Sequence, residues 1–221
     1  MAAERTIDIP PKASALIGSL RGLGYSPETA LADLIDNSIT AGAVAVEIDL
    51  QWNSGNPVAA ILDNGKGMDK DRLAEAMRLG GQGPDSQRDD TDLGRFGMGL
   101  KTASLSQSRR VAVVTKTAEA VSAVTLDMAV VEARGWIAIV PDPLPDHPFV
   151  AELLSRPNGT VVIWDQVDEL SGLAGLSKEA FYLRLEDIRA CMSSEHVGQL
   201  AWQFKRMSGS SGLKVQAALA C

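Results

Sequence analysis

Three glycines, at positions 94, 97 and 99, stand directly before a helical run, and no strand leads into them. The run Leu93-Gly94-Arg95-Phe96-Gly97-Met98-Gly99-Leu100-Lys101-Thr102 exposes backbone N–H groups where a helix starts. Such a terminus holds phosphate through its free amides and the helix dipole. Lys101 adds a point charge. The spacing excludes the two commonest phosphate loops. A Walker A loop needs Gly, four residues and then Gly-Lys-Ser/Thr, but Leu100 separates Gly99 from Lys101. The dinucleotide pattern Gly-x-Gly-x-x-Gly is absent as well.

The surrounding periodicities define a frame. Lys12 to Leu23 has helical spacing, with Ala13, Leu16, Ile17 and Leu20 on one side. Ser26-Pro27-Glu28 starts a second helix with a side-chain cap, a proline in the first turn and an acid at the positive end of the dipole. That helix runs to about Ala41 and stops at Gly42. Val44 to Gln51 alternates as a strand, Asn53 to Pro57 turns, and Val58 to Leu62 is a short apolar strand that delivers Asp63. Asp69 to Leu79 is a helix. Gly80 to Asp92 is a loop long enough to be functional on length alone. A helix from about Gly97 to Ser106 follows.

Arg110 to Lys116, Ala120 to Leu126 and Gly135 to Val140 look like a meander of strands. Phe149 to Leu154 is a short helix, Gly159 to Trp164 a strand, and Ser177 to about Met207 a long helix. Leu213 to Leu219 is one more strand; a lone strand cannot bury itself, so it is expected to open a further domain. The order predicts an α/β (α+β) fold: a two-layer sandwich with a mixed sheet and helices on one face.

Two polar constellations fall within this frame. On the second helix Asp33, Asp36, Asn37 and Thr40 share one face, while Leu31, Leu34, Ile35 and Ser38 share the other. A solvated face of an amphipathic helix accounts for this. So does a ligand site, since the polar stripe has short side chains and no Lys or Arg. Short oxygens at i, i+3 and i+4 can converge on a hard cation, with an Asn as a magnesium ligand and a carboxylate taking a proton from water. The second constellation is Asp63-Asn64-Gly65-Lys66-Gly67-Met68. Asp-Asn-Gly is good turn chemistry. It is equally an adenine pocket, in which Asp63 accepts from an exocyclic amine, Gly65 and Gly67 let a flat base approach, and Met68 adds soft apolar contact.

Composition narrows the classes. With only His147 and His196, and only Cys191 and Cys221, a catalytic triad, a zinc site or a disulfide framework has almost no raw material. The apolar runs are short and broken by charge, the start Met1 to Thr6 lacks a secretory apolar stretch, and a cytoplasmic location follows by default. The net charge of −7 argues against a dominant nucleic-acid surface. Between Arg88 and Lys116, six cations against three aspartates make either ordinary surface or a cationic zone near a phosphate-bearing ligand.

Taken in order, these motifs resemble the GHKL ATPases, the superfamily of DNA gyrase, MutL, the MORC proteins and the sensor histidine kinases. The resemblance covers about Lys12 to Gln166. Ala32-Asp33-Leu34-Ile35-Asp36-Asn37-Ser38 looks like the N-box, Asp63-Asn64-Gly65-Lys66-Gly67 like the G1 box, and Gly94 to Lys101 like the G2 box. Gly159-Thr160-Val161-Val162 looks like the last nucleotide-contacting strand, and the wording from Asp92 to Ser104 is closest to the MORC-like branch.

The resemblance implies a sandwich of the Bergerat type that takes ATP and Mg2+. Asn37 would hold the metal, Asp63 would read the adenine amine and Thr160 would support it through water. The glycines from 94 to 99 would wrap the phosphates, with Gly80 to Asp92 as the lid. Asp33 stands where the hydrolysing branch usually has a glutamate acting on the attacking water. Its reach is shorter by about 1.5 Å, so slow hydrolysis is expected.

Residues 1–175 would form the ATP-binding domain, and 176–221 a linking helix and the start of a transducer-like domain, which in gyrase and MutL relatives supplies a lysine to the terminal phosphate. The ATP-bound state is expected to close the lid and form a homodimer, with Thr6 to Pro11 reaching across or fraying. DNA is expected to be reached through regions outside this segment, and no membrane is implied. A non-hydrolysing nucleotide-sensing module is the alternative. A histidine-kinase-type phosphotransferase fits least, because no acceptor histidine precedes the ATP-binding region.

Overall fold

A computed structural model describes residues 7, 11–22, 25–78, 99–168, 172–195, 200–206 and 212–219, with backbone alone at 189 and from 191 onward. The first half follows its local signals closely. Helix α1 spans Ala13–Arg21 and α2 spans Pro27–Thr40. Ser26 caps α2 by accepting the Thr29 N–H at 3.2 Å, and Gly42 ends the turn beyond it at φ 78°. Strand β1 (Ala45–Gln51) joins β2 (Val58–Asp63) through a single 3-10 turn at Asn53–Gly55. Helix α3 (Lys70–Met77) begins at Asp69, which accepts the Arg72 N–H at 2.8 Å. Helix α4 spans Gly99–Gln107 and runs straight into β3 (Ser108–Lys116), which pairs with β4 (Val121–Asp127).

The remaining elements are α5 (Met128–Arg134), α6 (Pro148–Ser155), β5 (Gly159–Val167), α7 (Lys178–Glu195), β6 (Leu200–Arg206) and β7 (Gly212–Leu219). Two expectations fail in this half. Gly135 to Val140 is not a strand; only an isolated bridge joins Ile139 to Thr125. Ahead of it the chain forms α5, which is not among the predicted elements: Asp127 accepts the Ala129 N–H at 2.9 Å and starts a helix directly after β4. The long helix does not reach Met207 either. It ends at Glu195, and Leu200, Trp202 and Phe204 alternate along β6 with the period of a strand.

The sheet order is β4-β3-β5-β2-β1-β7-β6. The two-layer α/β sandwich is as expected, but every pairing between described strands is antiparallel where a mixed sheet is predicted. The crossover through α3 and α4 does make β2 and β3 run the same way. They are not neighbours, however, because β5 inserts between them antiparallel to both. The strand at Leu213–Leu219 is not alone; β7 hydrogen-bonds to β1 on one side and β6 on the other.

Nor do the helices keep to one face. Six helices pack with Ile61, Val113, Val162 and Trp164 in the larger core, while α6 covers the opposite face with Phe149, Val150 and Leu153 against Leu62, Val114 and Val161. The reason is composition: β2 and β5 are apolar at consecutive positions, so both their faces need a cover.

Candidate functional site

Three neighbouring strands meet along one edge of the sheet, where the end of β2 (Asp63), the start of β5 (Thr160) and the end region of β3 (Thr115) form a polar row. Asp63 pairs with Thr160 across β2 and β5, and Thr160 pairs with Thr115 across β5 and β3. One pleat back along the same face stand Ile61, Val162 and Val113, all in the helix-covered core. The row is therefore the polar rim of an apolar floor. A cavity opens above it, lined by Leu34, Asn37 and Ser38 of α2, Asp63, Gly67 and Met68, Gly99 to Lys101 of α4, and Thr160.

Asp63 is 7% exposed. The Gly65 N–H donates to its Oδ1 at 2.8 Å and the Ser38 hydroxyl to its Oδ2 at 3.3 Å. Burial raises its carboxyl to about 6; the bonds from Gly65, Ser38 and the Thr160 N–H, with the Arg156 guanidinium, restrain the rise. Ser38 belongs by helical spacing to the apolar face of α2, and its bond to Asp63 is a contact that the spacing does not disclose.

The loop after Asp63 is latched by its neighbours. Asn64 accepts the Val44 and Ala45 N–H groups at 2.9 and 3.0 Å, and the Asn158 amide donates to the carbonyls of Asn64 and Gly65. Gly67, at φ 69°, lies so close to the Lys116 carbonyl that a Cβ would collide with it. Gly65 does not line the cavity, and a Cβ there would meet Ala41 at 2.9 Å. These glycines thus serve the approach of chain to chain, and only Gly67 also borders the cavity.

The opposite wall is made by α2 and α4. Asn37 faces the start of α4: a Cβ on Gly99 would lie 3.7 Å from its Nδ2, which is buried without a hydrogen-bond partner among the described residues. Leu100 and Met68 pack against the larger core while bordering the cavity. Lys101 is 3% exposed and donates to the Arg78 carbonyl at 2.5 Å, so its charge clamps the end of α3 beside the cavity. Burial lowers its pKa, opposed by Glu75. Arg72 and Glu75 of α3 also line the cavity, and the sequence alone gives them no role.

The polar stripe of α2 does not gather as one group. Asp36 is exposed, and Asp33, one turn before Asn37, does not border the cavity. Burial raises the Asp33 carboxyl, a hydrogen bond from the Tyr25 hydroxyl opposes this, and the Asp36 charge adds to it. Tyr25 in turn is pushed up by burial and by Asp33. Its carbonyl accepts the Gln107 amide at 2.9 Å, which ties the Asp33 neighbourhood to the end of α4. Of the residues singled out in sequence, Gly94, Arg95, Phe96, Gly97 and Met98, and the loop Gly80 to Asp92, lie outside the described residues.

A cavity with an acceptor rim, set beside a glycine-started helix, fits the class of nucleotide-binding α/β proteins. Comparison with known families makes this definite. The family model described as histidine kinase-, DNA gyrase B-, and HSP90-like ATPase matches residues 25–160, which hold every residue bordering the cavity except Val162. The chain belongs to this family.

Among curated relatives, the DNA mismatch repair protein MutL of Shewanella denitrificans is 36% identical over 95 residues, covering 42% of this chain and 14% of that protein. The ATPase MORC2B of Mus musculus is 28% identical over 181 residues, covering 72% of this chain and 17% of that protein. MutL of Escherichia coli is 34% identical over 97 residues, covering 42% of this chain and 15% of that protein. The chain thus spans 14–17% of the length of these relatives. No helix among the described residues is long and apolar enough to cross a membrane.

Proposed function

We propose that the chain binds ATP in this cavity in a magnesium-dependent manner and hydrolyses it. The observation that carries the reading is the Asp63–Thr160 rim, a buried carboxylate and a hydroxyl facing the space where a base would lie. An aminopurine offers an N–H to such acceptors. Met68 and the Ile61–Val162 floor give the ring its apolar contacts. Glycines 94, 97 and 99 and the start of α4 would bind the phosphates, with Arg95 and Lys101 adding charge.

The metal assignment is supported by Asn37, whose buried amide nitrogen has no hydrogen-bond partner among the described residues. The two ends of an amide are told apart only by their partners, so its oxygen can be turned to a cation. No group of three His, Cys, Asp or Glu able to hold a metal occurs among the described residues. This suits Mg2+, which keeps waters and substrate oxygens and takes few protein ligands. When bound it would supply charge neutralisation to the phosphates. Asp33 would accept the proton of the attacking water, steered by Tyr25.

The wider reading follows from the family. Residues 80–92, which lie outside the described residues, would serve as the ATP lid, and ATP would bring two copies of the chain together. The MutL relatives, which are DNA mismatch repair proteins, favour a DNA-related system, with DNA held by regions outside this segment; a cytoplasmic location belongs to the same reading. Residues 1–175 form the nucleotide-binding unit in this reading, and 176–221 lead toward a transducer-like unit, with β7 extending the first unit's sheet.

ATP titration with and without Mg2+ tests the assignments. Asp63→Asn should abolish binding, and Asn37→Ala should bind without responding to magnesium. Normal ATP affinity in Asp63→Asn would overturn the adenine assignment. The position of Asp33 outside the cavity wall favours one further reading, a nucleotide-sensing module that does not turn over. There, wild type binds ATP without releasing phosphate, and Asp33→Glu, with its longer reach, gains turnover at unchanged affinity.

A further inference from the structure

Thr115 is wholly buried and does not border the cavity, yet it stands in the rim's row beside Thr160. Its hydroxyl has three neighbours. The Met68 N–H donates to it at 2.8 Å, the Gly159 carbonyl lies at 3.1 Å and the Thr160 Oγ1 at 3.1 Å. A hydroxyl has one proton and two lone pairs. The Gly159 carbonyl can only accept, so it takes the Thr115 proton. The Met68 N–H can only donate, so it takes one lone pair. The second lone pair is then left for Thr160, which must be the donor of that bond.

The consequence falls on the cavity. The single Thr160 proton is committed inward, so toward the cavity its oxygen offers lone pairs alone. Asp63, as a carboxylate, offers the same. We propose that Thr115 is a specificity-determining positioning residue: by fixing the direction of the Thr160 proton it makes the rim acceptor-only, and so selects a 6-amino purine over a 6-oxo purine. This rests on the adenine reading above and goes beyond it by assigning the selectivity to a residue that touches no ligand. A site built to receive N–H groups rejects an analogue that presents a carbonyl, because two acceptors then face each other.

The test compares ATP with inosine triphosphate, which differs from it only at the edge in question, by competition binding to the full chain. Wild type should prefer ATP. Thr115→Val keeps the shape but frees the Thr160 hydroxyl to rotate and donate outward, so the ATP-to-ITP affinity ratio should fall about tenfold. Thr115→Ser, which keeps the hydroxyl, should hold the wild-type ratio. Should Thr115→Val fold poorly, Thr115→Cys, a weak donor and acceptor, should give a ratio between the two.

A purely structural role for Thr115 would weaken both nucleotides alike. An unchanged ratio in Thr115→Val, or in Thr115→Cys where that variant alone folds, therefore overturns the inference while leaving the adenine reading intact. A wild type with no preference for ATP overturns the adenine reading, and the inference with it.

Discussion

Asp63 and Asp33 carry the two halves of the proposed chemistry, and they are held in opposite ways. Asp63 sits at the end of a central strand, buried, with donors from Gly65, Ser38 and Thr160 on its oxygens. Asp33 sits midway along α2, half-buried, with a hydrogen bond from Tyr25 and a like charge at Asp36. The group assigned to base recognition is thus held by the sheet register at Thr160, by the loop at Gly65 and by α2 at Ser38. The group assigned to proton removal is steered by a single phenol.

The sharpest way to break this contrast is to disturb the strand-end frame. Gly67→Ala would drive a Cβ into the Lys116 carbonyl, so unfolding free energy should drop by about 3 kcal/mol. Gly172→Ala, at φ 66° but with open space around it, should cost about 1 kcal/mol. Urea denaturation of both variants measures the difference, and equal losses would mean that the close approach at Gly67 does not matter.

Acid titration separates the two regions next. The Asp63 carboxyl titrates near about 6 when folded, against an ordinary 3.8. The folded state therefore holds the proton more firmly than the unfolded one. The stabilisation from this group is complete below about pH 4 and is lost as the pH rises through 6, on the order of 2–3 kcal/mol at most. ATP affinity should move the other way, weakening as the pH drops through 6, because protonation removes the charge and turns one acceptor oxygen of the rim into a donor. Urea midpoints of wild type and Asp63→Asn between pH 4 and 7 should converge at neither end if Asp63 is not the group responsible.

The smallest effect belongs to Asp33. Tyr25→Phe removes one hydroxyl, and turnover should fall about tenfold with little change in KM. Steady-state phosphate release measures it. A change in KM at constant kcat would place Tyr25 in nucleotide binding instead.

Much of this was readable from local pattern. The Ser26-Pro27 start of α2 and the strand that ends at Asp63 are local signals that the structure follows closely, and α4 is present from Gly99, with Gly94 and Gly97 outside the described residues. The misreadings are also local in origin. Gly135 to Val140 is apolar enough for a strand but makes only a single bridge at Ile139, and the β6 alternation follows directly on a helical run that hides it. Ser38 shares the spacing of the apolar face, so nothing in the periodicity marks its bond to Asp63.

The order of caps, periods and glycines by itself determined most helices and strands of the first half, and it put an aspartate at a strand end ahead of a glycine-led helix start. Only the tertiary structure decided that β5 lies between β2 and β3, and hence that Asp63, Thr160 and Thr115 form one row. Local sequence encodes dihedral preference and burial period within a few residues. Which strand ends meet is set by long-range packing of both sheet faces, and that depends on the whole chain at once.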